Sequence, residues 1–165
     1  MTDKTYIIEI EWEGPLSLKD VIKKRNDWGE KPDYAGNDYG LYQIYGRHIL
    51  CGNNTLLYIG KAIDQTFARR FRQHSNDWLK RENKVKIYLG RTANDGYYTG
   101  RNNWVKWKRD IGISEQILIY KYTPNYNSSC LGDFPKLLPH KKVKLIHSGR
   151  KGKLSKNDNA PKDYK

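Results

Sequence analysis

Apolar and polar positions alternate in four segments of the chain, and each segment predicts a β-strand. Residues 5–12 (TYIIEIEW) are rich in β-branched and aromatic side chains. Residues 40–45 (GLYQIY) and 55–60 (TLLYIG) flank a turn-rich loop, which predicts a hairpin with a long connection. Residues 84–91 (KVKIYLGR) alternate charged and apolar side chains, as expected of a strand with one solvated face.

The predicted helices are short, and each follows a polar residue that can serve as an N-cap. They span 18–25 after Ser17, 65–80 after Asp64, and 115–121 after Ser114 or Asp110. Pro124 must stop the third helix, because proline lacks the backbone N–H that a helix interior needs. Residues 104–109 fit a strand or a helix equally well.

Together these elements predict an α+β fold in which a small antiparallel three-stranded central sheet is flanked by helices. A chain of 165 residues fits a single domain. We expect residues 1–38 to form an N-terminal strand-helix extension, residues 39–128 the core, and residues 129–165 a basic C-terminal arm. The end of that arm is polar, so we expect it to be flexible.

The charge of the chain favours a polyanionic partner. It has 31 Lys and Arg against 18 Asp and Glu, a formal net charge of +13 and a pI near 9.6. Nucleic acid is the usual partner of so basic a domain. A generic basic surface is the plainer alternative, because net charge identifies a class of partner and not an activity.

The sequence predicts a cytoplasmic protein without membrane association. Cys51 and Cys130 provide neither a disulfide framework nor the spacing of a metal-binding pair. His48, His140 and His147 also lack metal-ligand spacing, and we expect them at the surface. The first residues lack the features of a secretion signal, and no apolar run approaches the ~20 residues of a membrane helix.

Three polar residues of the predicted helices have side chains suited to phosphate chemistry. Arg70 and His74 are four residues apart and share a helix face, where arginine can neutralise a phosphate and histidine can transfer a proton. Glu115 offers the hard oxygen ligand that Mg²⁺ prefers. The plainer alternatives are a solvated basic face for the first helix and an acid favoured by a helix N-terminus for Glu115.

Two strand tyrosines, Tyr42 and Tyr58, are candidates for the same site. Strand tyrosines commonly pack across a sheet, which is the structural alternative. A phenol is a poor base unless a nearby cation lowers its pKa, and Lys61 beside the hairpin is the cation placed to do so. The glycines of the hairpin are interpreted as positions of strand geometry or close approach.

A further segment mixes aromatic and cationic side chains, which is typical of surfaces that stack bases and bind phosphates. It includes Arg101, Trp104 and Lys106. Together with Arg69 and Arg72 of the preceding helix, these residues are the predicted DNA contacts. Core packing is the alternative for the tryptophan.

The hairpin and the residues after it resemble the signature of the GIY-YIG nuclease superfamily. Gly40-Leu41-Tyr42 and Tyr58-Ile59-Gly60 are similar to its two halves, with Leu41 in place of isoleucine and a longer spacer than usual. Further matching positions follow in the order of the family. They are Lys61, Arg70, His74, Glu115 and a P-x-Y-N segment at Pro124-Asn125-Tyr126-Asn127. The resemblance covers residues 39–128.

The resemblance implies a compact, restriction-type DNA endonuclease that hydrolyses phosphodiester bonds with the help of one divalent ion. Glu115 would hold that ion, Mg²⁺ or alternatively Mn²⁺. Tyr42 would be the general base that activates water, helped by Lys61. Arg70 would contact the scissile phosphate.

The resemblance also assigns supporting roles. His74 would assist proton transfer, and Tyr58 would position the phosphate. Asn127 would either orient Glu115 or tie the end of its helix. Restriction-type members commonly pair so that two sites cut two strands, which implies a homodimer.

Two alternatives stay open at the level of the sequence. The first is a repair or recombination nuclease that selects DNA structure in place of DNA sequence. The second is a non-catalytic, basic nucleic-acid-binding module. The full set of matching polar positions argues against the second, since a decayed site should have lost at least one of them.

Overall fold

The structure, a computed structural model, describes residues 5–23, 39–82, 84–92, 101–129 and 142–160, with side chains from residue 104 onward in the fourth range. This part of the chain contains six strands and three α-helices. The strands are β1 (Tyr6–Leu16), β2 (Gly40–His48), β3 (Gly52–Ala62), β4 (Lys86–Thr92), β5 (Val143–Gly149) and β6 (Asn157–Asn159). The helices are α1 (Leu18–Lys23), α2 (Phe67–Asn76) and α3 (Arg101–Tyr122), and a 3-10 turn spans Leu79–Arg81.

The six strands form one curled, mixed sheet in the order β3-β2-β4-β1-β5-β6. β1 runs antiparallel to β4 on one side and parallel to β5 on the other. The predicted fold, a small antiparallel three-stranded central sheet flanked by helices, is therefore wrong. The physical reason is that β1 is hydrogen-bonded along both of its edges, which places it inside the sheet and not in an N-terminal extension.

Part of the predicted basic C-terminal arm also belongs to this sheet. β5 buries Val143 and Leu145 in the core, and β6 pairs with β5 in antiparallel orientation. The burial of β5 alternates along residues 143–147 (VKLIH), with Lys144 on the more exposed face. This short period-2 pattern is hidden in the sequence by the surrounding lysines. The sequence predicts that the last dozen residues are flexible, but Asn157–Asn159 form β6 in the sheet and Leu154 and Asp158 are buried. Residues 161–165 lie outside the described residues.

The predicted hairpin is confirmed, with Tyr42 opposite Gly60 and Leu41 opposite Lys61. A Cβ atom at Gly60 would lie 2.5 Å from Tyr42 Oη and 2.7 Å from Tyr58 Cε1. Only glycine therefore lets the two tyrosine rings cover the strand at this point. The interpretation of this glycine as a position of close approach is confirmed.

Helix α2 is shorter than predicted and begins at a different cap. Thr66, and not Asp64, is its N-cap, and the Thr66 side chain accepts a hydrogen bond from Arg69 N at 3.3 Å. On the apolar face, the Phe71 ring packs edge-on against the Tyr42 ring with centroids 4.9 Å apart. This packing holds α2 against β2.

The prediction that a helix begins at Glu115 is wrong, because α3 is one continuous helix in which Glu115 lies several turns from the N-terminus. Ser114 is buried inside this helix, and its Oγ donates to Asp110 O at 2.7 Å in place of capping. Residues 104–109 are helical. A helix-dipole explanation for Glu115 is thereby removed, since that effect is confined to the first turn.

The core is divided into two apolar clusters. One packs α3 against β1 and β5 and includes Trp12 and Ile111. The other packs α1 and α2 against β2 and β4 and includes Ile87. Leu41 belongs to the first cluster and Tyr42 to the second, because successive side chains of a strand point to opposite faces. Functional groups on the hairpin are therefore shared between an α2 side and an α3 side.

Candidate active site

On the α2 side of the sheet, three predicted residues form one hydrogen-bonded group. Tyr42 Oη lies 2.8 Å from His74 Nε2, and Arg70 Nε donates to Tyr42 Oη at 3.2 Å. Tyr42 and His74 are buried, whereas Arg70 is half-buried and reaches solvent. The phenol oxygen accepts from Arg70, and the phenol can donate its own hydrogen to His74 Nε2 in the tautomer that leaves this nitrogen unprotonated.

Burial sets the protonation states in this group. Burial raises the pKa of the Tyr42 phenol and Tyr58 raises it further, against the opposite effect of the hydrogen bond from Arg70. Burial, and then the charge of Arg70, lowers the pKa of His74 to about 4. At neutral pH the phenol is therefore protonated and the imidazole is neutral.

Tyr58 forms an aromatic wall beside this group. Its ring stacks on Tyr42 with centroids 6.0 Å apart and 21° between the planes, and it lies 5.4 Å from the His74 ring. Trp78 flanks it on the other side at 5.9 Å. Tyr58 is half-buried, so this position combines cross-strand packing with access for a ligand.

On the α3 side, Lys61 and Glu115 form an ion pair. Lys61 Nζ lies 2.6 Å from Glu115 Oε2, and the two side chains are 32% and 16% exposed. Lys61 lies opposite Leu41 in the hairpin, so its side chain points to the face away from Tyr42. The cation that contacts the Tyr42 hydroxyl is therefore Arg70. The sequence predicts Lys61 as the cation near this hydroxyl, and that prediction is wrong.

The two sides meet at an open cleft of about 440 Å³ at the end of the hairpin. It is lined by residues 61–65, Arg69, Arg70 and Glu115. Three cations and two carboxylates in this lining leave an excess of positive charge, which favours an anionic ligand. The buried Tyr42 contacts Arg70 from the protein side. The structure thus brings Lys61, Arg70 and Glu115 to one surface, with Tyr42 and His74 behind it.

The donor chemistry of the cleft fits a divalent cation with few protein ligands. Mg²⁺ commonly binds one or two carboxylates and completes its shell with water and phosphate oxygens. Glu115 supplies one carboxylate, and the ammonium of Lys61 beside it shows that the position accommodates positive charge. Asp64 is 73% exposed and paired with Lys108. Among the described residues, no cluster of three or more His, Cys, Asp or Glu forms a ready metal cage.

Asn127 contacts the edge of the sheet, and not Glu115 or the end of α3. Its side-chain amide accepts from Ile59 N at 3.0 Å and donates to Ile59 O at 2.8 Å. In the same segment, Tyr126 N donates to Leu57 O at 2.8 Å. The turn after α3 therefore covers part of the outer edge of β3, whose backbone groups would otherwise be exposed.

The cationic residues predicted to contact DNA lie in different places. Arg69 is exposed and lines the cleft, and Arg72 is half-buried on α2. Lys106 is exposed on α3. Arg101 begins α3, and its side chain lies outside the described residues. Of these cations, Arg69 is the one that the structure brings to the cleft.

Trp104, the aromatic member of the predicted DNA contacts, packs at the edge of the core. Its ring stacks on Trp107 with centroids 5.1 Å apart, and it contacts the cluster beneath α3. The ammonium of Lys108 lies 4.9 Å from the centre of the Trp104 ring. These contacts are those of a core-packing residue, which is the alternative to DNA binding for Trp104.

A second histidine network, which no sequence pattern predicted, joins β1, β5 and β6 to the end of α3. Trp12 Nε1 donates to His147 Nδ1 at 3.0 Å, and His147 Nε2 donates to Asp158 Oδ2 at 3.1 Å. Asp158 also accepts from Lys121 and from Tyr122 Oη. His147 and Asp158 are fully buried, so this network connects strands to helix without access for a ligand. The expected surface position of His147 is wrong.

Within the described residues, no helix combines the length and the apolar character that a membrane crossing requires. No protein-family model, no curated protein and no solved structure matches the chain. The function is therefore inferred from the motif residues and from their arrangement at the cleft.

Proposed function

We propose that the chain is a divalent-metal-dependent DNA endonuclease of the GIY-YIG type that hydrolyses phosphodiester bonds. The observation that carries the proposal is the single cleft in which Lys61, Arg70 and Glu115 meet from three different elements. Phosphodiester hydrolysis needs charge neutralisation, a stabilised leaving oxygen and an activated water. A cationic cleft lined by the carboxylates of Glu115 and Asp64 supports the first two of these.

Each group at the cleft has a role that its position supports. The hydrogen bonds from Arg70 Nε to Tyr42 and from Arg70 Nη1 to Gln73 Oε1, at 3.3 Å, orient the guanidinium, and its further N–H groups could donate to phosphate oxygens. Glu115 would hold Mg²⁺ or Mn²⁺, and the bound ion would polarise the phosphate and stabilise the leaving oxygen. Lys61 would then turn from Glu115 toward the DNA backbone, and Tyr58 would flank the phosphate.

Tyr42 as the general base stays a prediction. Its phenol is protonated and buried behind Arg70, so it must lose its proton and gain access to the cleft before it can accept a proton from water. Neutral His74, with Nε2 at 2.8 Å, is the acceptor placed for that phenol hydrogen. This arrangement supports the proposed assistance of His74 in proton transfer.

Cleavage of supercoiled plasmid DNA tests the proposal. The wild type should nick or linearise the plasmid in Mg²⁺ and leave it intact in EDTA. Glu115→Gln keeps the size of the side chain and removes its charge, so activity should fall by roughly a hundredfold or more. Glu9→Gln, an exposed position on β1, is the matched control and should cut normally. Equal cleavage by Glu115→Gln and the wild type would refute the metal role.

The same assay distinguishes the restriction type from a structure-selective nuclease. Discrete fragments from phage DNA would support a restriction-type enzyme, for which we also propose a homodimer. Preferential cleavage of a flap or a branched substrate over duplex would support a repair or recombination nuclease. Sedimentation of the purified chain tests the dimer independently of cleavage.

The second candidate function is a non-catalytic nucleic-acid-binding module. The Lys61–Glu115 ion pair favours it, because a carboxylate that is already neutralised needs no metal ion. Such a module would retain DNA at low salt, as a basic surface does, without any Mg²⁺-dependent nicking. The plasmid assay therefore separates it from the endonuclease.

A further inference from the structure

The tip of the β2–β3 hairpin presents two large aliphatic side chains to solvent. Ile49 is 96% exposed and Leu50 is 89% exposed. The turn that carries them is ordered by local hydrogen bonds, since Cys51 N donates to His48 Nδ1 at 3.3 Å and Thr55 Oγ1 donates to the Gly52 carbonyl at 3.0 Å. Both apolar side chains therefore point outward at the end of a hairpin whose turn is held by local hydrogen bonds.

The charged residues of the hairpin itself are all cationic, and the nearest acid described beside it is Glu82, which accepts from Tyr126 Oη at 2.8 Å. No Asp or Glu occurs in residues 39–63, which contain the whole hairpin, whereas Arg47 next to the tip is exposed. At the other end of the hairpin, Arg69 and Arg70 of α2 add positive charge at the cleft. Cationic side chains bind phosphates, and apolar side chains can insert between bases. Duplex DNA provides both partners, because its stacked bases lie between two phosphate backbones.

The tip and the cleft lie at opposite ends of one strand. β3 has 11 residues, from Gly52 beside the tip to Ala62 in the cleft lining. A strand of that length spans roughly 35 Å, which is about one turn of a DNA duplex. If a duplex lay along the hairpin, the same groove would therefore face the protein at the cleft and, one helical turn away, at the tip.

A line of partly exposed rings connects the two ends on the α2 side. Tyr58 contacts Trp78 at 5.9 Å between ring centroids, Trp78 contacts Tyr126 at 5.2 Å, and Tyr126 contacts His48 at 6.1 Å. His48 is the last residue of β2 before the tip. The line of rings that begins at Tyr58 therefore reaches His48, the residue before Ile49.

We propose that Ile49 and Leu50 form a wedge that enters duplex DNA between neighbouring base pairs, about one helical turn from the bond that the cleft attacks. The proposal rests on the proposed endonuclease function. Apolar wedges of isoleucine and leucine kink DNA by partial unstacking, and the kink lets the duplex follow a curved protein surface. The curled sheet of this protein is such a surface.

A protein partner fits the tip less well than DNA does. Two side chains at the end of a turn present far less surface than the roughly 800 Å² that each partner buries in a stable protein interface. A lipid surface would meet the same cationic and apolar groups. Binding to anionic vesicles and self-association of this chain are therefore measured in the same test.

The test uses the full-length chain and a duplex of about 30 base pairs, long enough to reach from cleft to tip on either side of the mapped cleavage site. Binding is measured in EDTA, and unstacked thymines are detected by permanganate reactivity. Ile49→Ser/Leu50→Ser should bind roughly tenfold more weakly, as expected for one buried aliphatic side chain, and should lose the reactive thymines. Its salt dependence should be unchanged, because the phosphate contacts remain.

Controls separate this inference from the proposed function. Ile7→Ser, at an aliphatic position that is 52% exposed on β1, should bind and cut like the wild type. If the wild type cuts DNA and the tip variant has the same affinity and the same permanganate pattern, the wedge is refuted while the nuclease stands. If the wild type neither binds nor cuts DNA, the wedge and the proposed endonuclease function are both refuted. Loss of binding to anionic vesicles, or of self-association, with unchanged DNA binding would also refute the wedge.

Discussion

Two polar networks in this protein are built from similar residue types and have opposite properties. The cleft network consists of Tyr42, Lys61, Arg70, His74 and Glu115. The closed network consists of Trp12, Lys121, Tyr122, His147 and Asp158. Each contains one histidine, one tyrosine, one lysine and one carboxylate. These four shared types are arranged differently, and the fifth member is Arg70 in the cleft network and Trp12 in the closed network.

In the closed network the carboxylate contacts the histidine directly. Asp158 accepts from His147, Lys121 and Tyr122, and both the acid and the imidazole are fully buried. Burial acts to raise the pKa of Asp158, but these hydrogen bonds outweigh it and hold the pKa below its ordinary value. Because the buried acid and the buried imidazole are hydrogen-bonded to each other, this network stabilises the fold.

In the cleft network the carboxylate and the histidine are separated. Glu115 is paired with Lys61, whereas His74 contacts a phenol, lies near Arg70 and stays neutral. The charges of the cleft are therefore not all neutralised by partners within the protein. Separation of the acid from the histidine therefore leaves groups that can bind a ligand, whereas direct contact between them stabilises the fold.

The tyrosines of the two networks provide the test with the largest expected effect. Tyr42→Phe removes the hydroxyl that holds Arg70, so plasmid cleavage should fall by roughly a hundredfold. Tyr122→Phe removes the hydroxyl that donates to Asp158, so the free energy of unfolding should fall by about 1 kcal/mol while cleavage is retained. Cleavage and urea unfolding are measured on the same preparations.

The kinetic form of the Tyr42→Phe defect distinguishes two roles. Loss of a general base lowers kcat at saturating DNA and leaves KM in place, whereas loss of the support for Arg70 also raises KM. Unimpaired cleavage by Tyr42→Phe would contradict both roles. A comparable loss of cleavage in Tyr122→Phe would remove the distinction between the two networks.

Asp158→Asn is the corresponding test of the closed network. Asparagine cannot accept as a charged group from Lys121 and His147, so the free energy of unfolding should fall by about 2 kcal/mol. Cleavage per folded molecule should stay at the level of the wild type. Asp64→Asn is the matched control, because its exposed ion pair with Lys108 should contribute little. Equal stability of the two variants would contradict the stabilising role of the closed network.

The parts of the cleft that the sequence predicted depend on short-range patterns. The hairpin follows from alternation within a few residues, and the structure confirms it with Tyr42 opposite Gly60. Arg70 and His74 were placed on one helix face from their spacing, and both contact the Tyr42 hydroxyl. Spacing of this kind is sufficient because helix and strand periods fix which side chains are neighbours.

The parts that the sequence did not predict depend on distant contacts. Trp12 and His147 are 135 positions apart, and an isolated histidine carries no signal that it is buried between a tryptophan and an acid. The partner of Lys61 was missed for a different reason. Its position directly after Gly60 pointed to Tyr42, but strand alternation turns its side chain to the opposite face, where Glu115 lies.

The two networks should also respond to acid in different pH ranges. The pKa of His74 is about 4 in the folded protein and 6.5 when unperturbed, so the unfolded chain takes up a proton first and stability falls as the pH drops from 6.5 to 4. The pKa of Asp158 is below 3.8, so its contribution is intact above that pH and is lost below it.

Urea unfolding as a function of pH measures this separation. His74→Gln should flatten the fall in stability between pH 6.5 and 4, whereas Asp158→Asn should leave that slope in place and change the behaviour below pH 3.8. An unaltered slope in His74→Gln would show that His74 is not the neutral, buried group that the cleft network requires.

Lys61 gives the smallest expected effect, and it is measured without DNA. Lys61→Met keeps most of the side-chain length and removes the ammonium from Glu115. The freed carboxylate should bind Mn²⁺ roughly fivefold more tightly, since a partly exposed ion pair contributes up to about 1 kcal/mol. Electron paramagnetic resonance of unbound Mn²⁺ measures the affinity. Lys108→Met, which frees Asp64, is the matched control and should change it less. Unchanged or weaker Mn²⁺ binding by Lys61→Met would show that the ammonium and the ion do not compete for Glu115.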